Sequence, residues 1–318
     1  MLNNMSDTFT ICKKPTPNWV SYKNGNYFVR INLVDGTKEK FTMDDEFIPQ
    51  YPESMDVKIT NQCDMGCPMC HEASTVDGKH GKILGLPFWD TLLPYTEIAI
   101  GGGNALSHPD LIPFLQMLKD KKMLLNITVN QIHFMKNIDL LRNLVNEKLI
   151  YGVGISLVNA TDEFINAVSA FDNAVIHVIN GIVTSEQIKA LSGHNLKMLI
   201  LGFKDFRRGV DYHASHSDSV KRNQNWVSDN LSQILSGFKV VSFDNLALRQ
   251  INVKSMMSDA EWERFFMGDD GIDGNFNSAS MYIDLVNAQY GANSCSVERY
   301  PLLNNILDMF QNIQRRFG

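Results

Sequence analysis

Between residues 55 and 245, short apolar stretches alternate with amphipathic ones, and this alternation restricts the fold more than any other feature of the sequence. The apolar stretches predict seven strands, at Met55–Thr60, Glu97–Ile100, Leu125–Asn130, Tyr151–Val158, Ala174–Asn180, Lys197–Gly202 and Lys239–Phe243. Apolar spacings of three and four predict helices between them, as in Leu111–Lys121, Ile138–Lys148 and Ser185–Leu191. Strands and helices in regular turn predict a parallel sheet with helices outside, and hence an α/β fold. Six or seven such units are fewer than a closed eight-stranded barrel needs, so we expect an open or partial barrel.

The stretches on either side of this repeat follow other patterns. Residues 19–43 alternate apolar and polar side chains and contain Asn24-Gly25 and Asp35-Gly36, which are strong hairpin signals, so we expect a short N-terminal β-meander. After residue 245 we expect one further strand, at Met281–Leu285, and a C-terminal amphipathic helix. The prediction is therefore an N-terminal β extension (residues 1–50), a barrel core (51–245) and an α+β C-terminal extension (246–318) that closes the barrel.

Composition limits the partners that the chain can have. Its 318 residues carry a formal net charge of −6, so we expect no strong attraction to nucleic acid or to an anionic membrane. No stretch approaches the roughly 18 continuous apolar residues of a membrane-spanning helix, and no secretory signal is recognisable. The number of cysteines, five, is odd, and three of them are clustered, which argues for a reducing compartment, and we expect a cytoplasmic protein. Acids at 269, 270 and 273 lack the order of a calcium loop and predict an ordinary turn.

Three of the cysteines lie close together in NQCDMGCPMCHE, residues 61–72. Cys63, Cys67 and Cys70 directly follow the first strand of the repeat, which places them at the carboxyl end of the sheet, where such folds bind ligands. A zinc site is one interpretation, but His71 is adjacent to Cys70, which makes joint ligation of one ion awkward. A [4Fe-4S] cluster suits the spacing better, because three thiolates hold three irons and leave the fourth open to another ligand.

Together with a second motif, the cysteines resemble the radical S-adenosylmethionine (SAM) superfamily, in its single-cluster form. The pattern C-x3-C-x2-C after a first strand is typical of that family, and GGGNALSHPDL (residues 101–111) is similar to its glycine-rich segment near the SAM ammonium group. Gly101, Gly102 and Gly103 match, whereas Asn104 stands where glutamate is common. The resemblance implies a partial (βα)6 barrel that binds SAM and a [4Fe-4S] cluster. In this family an electron from the cluster cleaves SAM to methionine and a 5′-deoxyadenosyl radical, which takes a hydrogen atom from the substrate.

The resemblance also implies SAM contacts at later strand ends. The matching residues are Thr128 and Asn130 after the third strand, Ser156 after the fourth, Gly181 and Ile182 after the fifth, and Met69, which stands where an aromatic residue commonly packs on adenine. From the residues alone, Ser or Asn at a strand end also suits a helix cap or a turn, and Met69 also suits a core position.

Candidates for the substrate site come from later in the chain. Lys204, Arg207 and Arg208 follow the sixth strand and suit either an anion clamp for a carboxylate or phosphate, or a solvated basic loop. Cys295 is a candidate hydrogen-atom donor, as in some radical SAM epimerases, although a lone cysteine also suits a small buried position. Other polar residues that could face the barrel interior, or pair with one another, are Asp244, Arg249 and Asp284.

The leading functional hypothesis is a radical SAM enzyme acting on a small-molecule, nucleotide or peptide-like substrate, with an electron donor such as flavodoxin or ferredoxin. Too few further cysteines exist for two auxiliary clusters, which disfavours the peptide-modifying branch that carries them. The alternatives are SAM-dependent methyl transfer on the same scaffold and a zinc-stabilised interaction module.

Overall fold

The computed structural model of the chain describes residues 18–45, 47–265 and 278–314. The chain forms two compact units, residues 1–50 and 51–318. The acids at 269, 270 and 273 lie outside the described residues. Across these described ranges, no helix is both long and apolar enough to cross a membrane.

The N-terminal unit contains a small antiparallel sheet. Its strands are β1 (Trp19–Asn24), β2 (Tyr27–Asn32) and β3 (Lys38–Thr42), which pair in that order. Tyr27, Val29 and Ile31 alternate with more exposed residues along β2 and form its buried face, as the period of two in a half-buried strand requires.

The larger unit is built on one sheet. Its strands are β4 (Ser54–Thr60), β5 (Glu97–Gly102), β6 (Leu124–Asn130), β7 (Gly152–Ser156), β8 (Ala174–Ile179), β9 (Lys197–Leu201), β10 (Val240–Phe243), β11 (Ser280–Asp284), β12 (Gln289–Gly291) and β13 (Tyr300–Pro301). Its α-helices are α1 (Leu111–Asp120), α2 (Gln131–Lys136), α3 (Ile138–Asn146), α4 (Asp162–Ser169), α5 (Ser185–Leu191), α6 (Arg208–Asp229), α7 (Leu231–Gly237), α8 (Asn245–Ile251), α9 (Asp259–Phe265) and α10 (Ile306–Gln314). Short 3₁₀ helices lie at Pro87–Thr91, Ala105–Ser107 and Val253–Met256.

The strand order of this sheet is β10-β9-β8-β7-β6-β5-β4-β11-β12-β13. Strands β4 to β10 lie side by side in chain order and pair in parallel, so the predicted α/β class with a mostly parallel sheet is confirmed. Strand β11 pairs in parallel with the other side of β4, and β12 and β13 continue antiparallel. The C-terminal residues therefore add strands beside β4, and a partial (βα)6 barrel closed by residues 246–318 stays a prediction.

The two faces of the parallel strands differ in chemistry. One face is apolar and buried, as Val57, Ile100, Ile127 and Ile155 illustrate. The opposite face, which we call the inner face, carries mostly polar or small residues at the alternate positions of β4 to β7, whereas β8 and β9 also place Val175, Ile179, Leu199 and Leu201 there. The register places side by side the pairs Asp56 and Ala99, Thr128 and Gly154, and Ser156 and His177. A parallel sheet is normally apolar on both faces, so a polar inner face indicates a ligand site rather than a second core.

Short polar side chains begin the helices that follow the strands. The hydroxyl of Thr184 accepts from the Gln187 N–H, while the Gln187 side chain accepts from the Thr184 N–H, which forms a capping box on α5. Thr161 caps α4, Asp244 caps α8 and Asn130 caps α2, each with a side-chain oxygen that accepts from one backbone N–H. These caps fix the strand-to-helix turns at the carboxyl end of the sheet.

Candidate functional site

The cysteine loop, residues 61–80, begins where β4 ends and folds back on itself. The Cys63 N–H donates to the Thr75 carbonyl at 2.7 Å, and the Cys70 N–H donates to the Cys67 carbonyl at 3.2 Å. All four cysteines in the described part of the chain are partly buried free thiols, namely Cys63, Cys67, Cys70 and Cys295. The loop therefore presents three thiols at the carboxyl end of the sheet.

The glycine-rich segment packs directly against the start of this loop. The Gly103 N–H donates to the Thr60 carbonyl at 2.8 Å, and the Asn104 N–H donates to the Gln62 carbonyl at 2.7 Å. A Cβ atom at Gly102 would lie 2.4 Å from the Thr60 oxygen, and one at Gly103 would lie 2.1 Å from the Gln62 oxygen. Both separations are too short for real atoms, so these two glycines permit the backbone contact that joins the two motifs.

Two groups beside this contact remain open to a ligand. At Gly101 a Cβ atom would have space, since its nearest neighbour is the Thr128 Cβ at 4.0 Å on the inner face. The side-chain oxygen of Asn104 is buried and has no hydrogen-bond partner among the described residues. A buried acceptor without a donor costs about 1–3 kcal/mol, and an ammonium group such as that of SAM would supply the donor. The segment therefore fits the predicted cofactor.

The surroundings of the thiols disfavour their ionised form in the absence of a metal. Burial raises the pKa of Cys63 and of Cys67, and the neighbouring Cys70 raises both further, while Arg208 opposes the shift. Cations at the sulfur atoms would reverse this penalty, because a coordinated thiol is deprotonated. Within residues 18–45, 47–265 and 278–314, no three His, Cys, Asp or Glu side chains are arranged to hold a metal ion. The loop would thus have to draw its sulfur atoms together around a cluster.

The register brings the predicted SAM contacts of β6 and β7 together. Thr128 pairs with Gly154, and Asn130 pairs with Ser156, so the polar side chains lie on neighbouring strands of the inner face. The side-chain oxygen of Asn130 accepts from the Ile132 N–H at 2.8 Å. Asn130 is therefore a helix cap, the alternative that the residues alone left open, and its cofactor contact stays a prediction.

The remaining predicted SAM contacts lie in connecting segments at the same end of the sheet. Gly181 follows β8 with a φ of +96° and lies against α6, where a Cβ atom would be 2.8 Å from Val220 Cγ1. Ile182 and Met69 are half-buried, so Met69 is not a fully buried core residue. Next to Gly181, the side-chain oxygen of Asn180 is buried without a partner in the described part of the chain.

The basic segment, residues 204–208, lies against the cysteine loop. The three contacts are Lys204 Nζ to His71 Nε2 at 3.4 Å, Arg207 Nη1 to the Glu72 carbonyl oxygen at 2.9 Å, and Arg208 Nη2 to the Ser74 carbonyl oxygen at 2.8 Å. Burial, and then the charge of Lys204, lowers the pKa of His71 to about 3, so the neutral ring accepts from the Lys204 ammonium group. The trio therefore binds the loop, and its role as an anion clamp stays a prediction.

A buried ionic network connects Glu72 of the cysteine loop to Lys58 of β4 and Asp284 of β11. Lys58 Nζ is 2.8 Å from Glu72 Oε2 and 3.4 Å from Asp284 Oδ2, and all three side chains are buried. The Tyr282 hydroxyl donates to Glu72 Oε1 at 3.1 Å, and Arg207 approaches Oε2 at 3.4 Å. Burial alone would raise the pKa of Glu72, but the charges of Lys58 and Arg207 outweigh it and hold the pKa below its usual value. The network ties the loop to β4 and β11.

Cys295 lies near the basic segment. Its sulfur is 4.0 Å from the Ser294 hydroxyl, which accepts from Lys204 Nζ at 2.9 Å. Since Lys204 also contacts His71, the structure brings Cys295 to the same end of the sheet as the cysteine loop. The other polar candidates do not pair with one another. Asp284 pairs with Lys58, Asp244 caps α8, and Arg249 is exposed.

Sequence reasoning missed two accessible polar residues of the inner face, Asp56 and His177. Protein surrounds both, yet solvent reaches their side chains, and neither has a side-chain partner among the described residues. Burial raises the pKa of Asp56, which Lys204 only partly offsets, and burial lowers the pKa of His177 to about 4. A Cβ atom at Gly154 would lie 2.4 Å from the His177 ring, so glycine there makes room for the imidazole. Polar residues alternating with apolar ones inside a predicted parallel strand were the available signal.

The fold and site define an α/β protein whose parallel sheet carries a cysteine loop and a glycine-rich segment in contact at its carboxyl end. No protein-family model and no curated protein matches the sequence. Solved structures of SuiB from Streptococcus suis are similar to it. For the SuiB structure bound to the precursor peptide SuiA, the matched region covers 93% of this chain and 87% of the SuiB chain, with a TM-score of 0.59 and 10% identity. For the SuiB structure bound to S-adenosylmethionine, the matched region covers 86% of this chain and 81% of the SuiB chain, with a TM-score of 0.52 and 11% identity.

At sequence identities of 10% and 11%, the similarity to these structures concerns the fold alone. A further SuiB structure gives the same result, with a TM-score of 0.54 and 12% identity over 92% of this chain and 86% of that one. The likeness agrees with the family resemblance of the cysteine and glycine motifs. This chain and the SuiB structures therefore share a fold, in agreement with the fold that the resemblance implies.

Proposed function

We propose that this chain is a radical SAM enzyme that cleaves SAM reductively and abstracts a hydrogen atom from a polar substrate. Cys63, Cys67 and Cys70 would hold a [4Fe-4S] cluster. When bound, the cluster supplies the electron that splits SAM into methionine and a 5′-deoxyadenosyl radical. The observation that carries the proposal is the backbone contact between residues 102–104 and the cysteine loop, because it joins the two predicted cofactor motifs into one site.

Residues of this chain bind and orient the cofactor in this proposal. The buried Asn104 side-chain oxygen, which has no partner among the described residues, would accept from the SAM ammonium group, and the open position at Gly101 would let SAM approach the backbone of β5. Thr128 and Ser156 offer hydroxyl groups on the inner face, and the neutral ring of His177 lies beside them. The buried Lys58–Glu72 pair ties the loop to β4.

The substrate would lie on the inner face, as a small molecule, a nucleotide or a peptide-like molecule. A peptide-like substrate is favoured, because a solved structure of similar fold has a precursor peptide bound. An external electron donor such as flavodoxin or ferredoxin would reduce the cluster. Residues 246–318 would complete the site as the C-terminal extension, through β11 and the loop of Cys295.

The test is anaerobic reconstitution with iron and sulfide, followed by dithionite and SAM. We expect about four irons per chain, a brown protein, and 5′-deoxyadenosine formed even without substrate. Replacing Cys67 with Ala should abolish the cluster, whereas Cys295→Ala, a matched control outside the loop, should retain it. A fully loaded protein that forms no 5′-deoxyadenosine contradicts the proposal. S-adenosylhomocysteine as the product would instead show methyl transfer, and one zinc per chain would show an interaction module.

For Cys295 we keep the role of hydrogen-atom donor as part of the proposal. The thiol would give its hydrogen atom to the substrate radical, and the thiyl radical would regain one electron and one proton with the external donor as reductant. In D₂O, with a candidate peptide that is turned over, deuterium should enter the product. With Cys295→Ala this incorporation should vanish while 5′-deoxyadenosine still forms. Unchanged incorporation would exclude the role.

A further inference from the structure

Asp56 lies on the inner face of β4 and takes no part in the ion pairs formed beside it. The register places it between Tyr282 of β11 and Ala99 of β5. The Tyr282 hydroxyl donates to Glu72 Oε1 at 3.1 Å. Lys58, which follows Asp56 on the same face because side chains alternate along a strand, has its ammonium group 2.8 Å from Glu72 Oε2. Tyr282 and Lys58 therefore donate to Glu72 and not to Asp56.

The Asp56 carboxylate is open to a ligand. Solvent reaches its side chain although protein surrounds it, and the short side chain of Ala99 beside it leaves space above the sheet. Among the described residues it has no hydrogen bond and no ion pair. Lys204 acts on it only through its charge, since the Lys204 ammonium group contacts Ser294 Oγ at 2.9 Å and His71 Nε2 at 3.4 Å. A carboxylate surrounded by protein is destabilised unless a cation or several donors satisfy it, so Asp56 lacks a partner.

The depth of Asp56 in the sheet limits which ligands can reach it. It precedes Thr60, the last residue of β4, by four positions, which is about 13 Å at the usual rise of a strand. A ligand that enters at the carboxyl end of the sheet, where the two cofactor motifs meet, reaches Asp56 only through an extended group. Lysine and arginine carry their charge at the end of a long apolar stem, and such a stem can lie against Ala99.

We propose that Asp56 is a substrate-recognition residue that pairs with a cationic side chain, lysine or arginine, of a peptide-like substrate. The inference rests on the proposed function and names the group that its substrate must carry. Because protein surrounds Asp56, solvent screens this ion pair less than one at the surface. The pair would fix which residue of the peptide lies on the inner face.

The test is anaerobic equilibrium dialysis of the reconstituted protein with SAM against acetylated and amidated pentapeptides. The peptides have glycine at every position except the central one, which is lysine, arginine, norleucine or glutamate. We expect the lysine and arginine peptides to bind at least about tenfold more tightly than the other two, as one hydrogen bond between charged groups provides.

Variants of Asp56 assign this preference to its carboxylate. Asp56→Asn should weaken binding of the two basic peptides about tenfold or more, whereas Asp56→Glu keeps the charge and should retain most of the binding. Asp139→Asn is the matched control, because it removes the same charge from a side chain on α3 that is 95% exposed. It should bind every peptide as the wild type does.

Urea unfolding without peptide separates recognition from a structural role. Asp56→Asn should raise the midpoint, because it removes a charge that protein surrounds and that has no partner in the described part of the chain. A carboxylate that the fold requires would instead lower the midpoint when replaced.

Equal binding of the basic peptides to the wild type and to Asp56→Asn overturns the inference, as does a norleucine peptide that binds the wild type as tightly as they do. Failure of both basic peptides to bind loaded wild-type protein, or a lowered midpoint for Asp56→Asn, overturns it too. These results differ from failure of the proposed function, in which the wild-type protein assembles no cluster or the loaded protein forms no 5′-deoxyadenosine.

Discussion

Replacing Lys58 with methionine tests whether the buried ionic network stabilises the larger unit. The Lys58 side chain is 2% exposed, and its partners Glu72 and Asp284 are 7% and 4% exposed. Methionine has nearly the same length but no charge, so both carboxylates would lose the ammonium group while still buried. Breaking a buried pair in this way costs about 3–5 kcal/mol, because an uncompensated charge remains in a medium of low dielectric.

A surface ion pair supplies the matched control. Lys121 Nζ lies only 2.6 Å from Asp90 Oδ1, but the two side chains are 29% and 77% exposed. Solvent screens such a pair, so Lys121→Met should cost no more than about 1 kcal/mol despite the shorter distance. Burial rather than distance is therefore what the comparison measures.

Urea unfolding of the apo protein, followed by circular dichroism, gives the free energies of unfolding. We expect Lys58→Met to lose several times more than Lys121→Met. The double variant Lys58→Met/Glu72→Gln should recover part of the loss, because it removes one of the two buried carboxylate charges that lose the ammonium group. Equal losses in the two single variants would refute the reasoning.

Two further predictions concern the glycine-rich segment and the inner face. Gly103→Ala should shift the urea midpoint of unfolding downward, since the added Cβ would lie 2.1 Å from a backbone oxygen. Gly101→Ala should leave the midpoint nearly unchanged, because the added Cβ has space. A larger shift for Gly101→Ala than for Gly103→Ala would contradict this account of the two glycines. His177 has a folded pKa of about 4 against an ordinary 6.5, so the unfolded chain takes up its proton first and stability falls as pH drops from 6.5 to 4. His177→Gln should remove at most about 3 kcal/mol of that loss, measured as urea midpoints at pH 7 and 4.5, while the exposed His194→Gln should follow the wild type. Identical pH profiles for both variants would exclude this account of His177.

Local patterns in the sequence located the strands of the larger sheet well. The prediction at Leu125–Asn130 differs from β6 by one residue. It is accurate because the alternation of buried and accessible positions follows the alternation of apolar and polar residues along the strand. The prediction at Tyr151–Val158 is longer than β7, which spans Gly152–Ser156, because hydrophobicity continues beyond the residues that pair in the sheet. Strand ends depend on the hydrogen bonds of neighbouring strands, and a single strand's sequence does not contain them.

Candidate residues were harder to assign, because their roles depend on distant partners. For Asn130 the residues left open a SAM contact or a helix cap, and its side chain caps α2, while the SAM contact stays a prediction. Lys204 and the two arginines suited either an anion clamp or a solvated loop, and the structure joins them to the cysteine loop more than 130 positions earlier in the chain. Composition identifies a cation, whereas only the folded chain selects its partner.

The sequence by itself determined the parallel α/β sheet and the position of Cys63, Cys67 and Cys70 at a strand end, since both follow from the order of residues over short distances. The tertiary structure decided what surrounds that loop. Tyr282 reaches Glu72 across 210 positions of the chain, and the glycines at 102 and 103 meet the residues that precede Cys63. These contacts arise because β11 pairs with β4 and β5 lies on its other side, and strand order is a property of the whole fold.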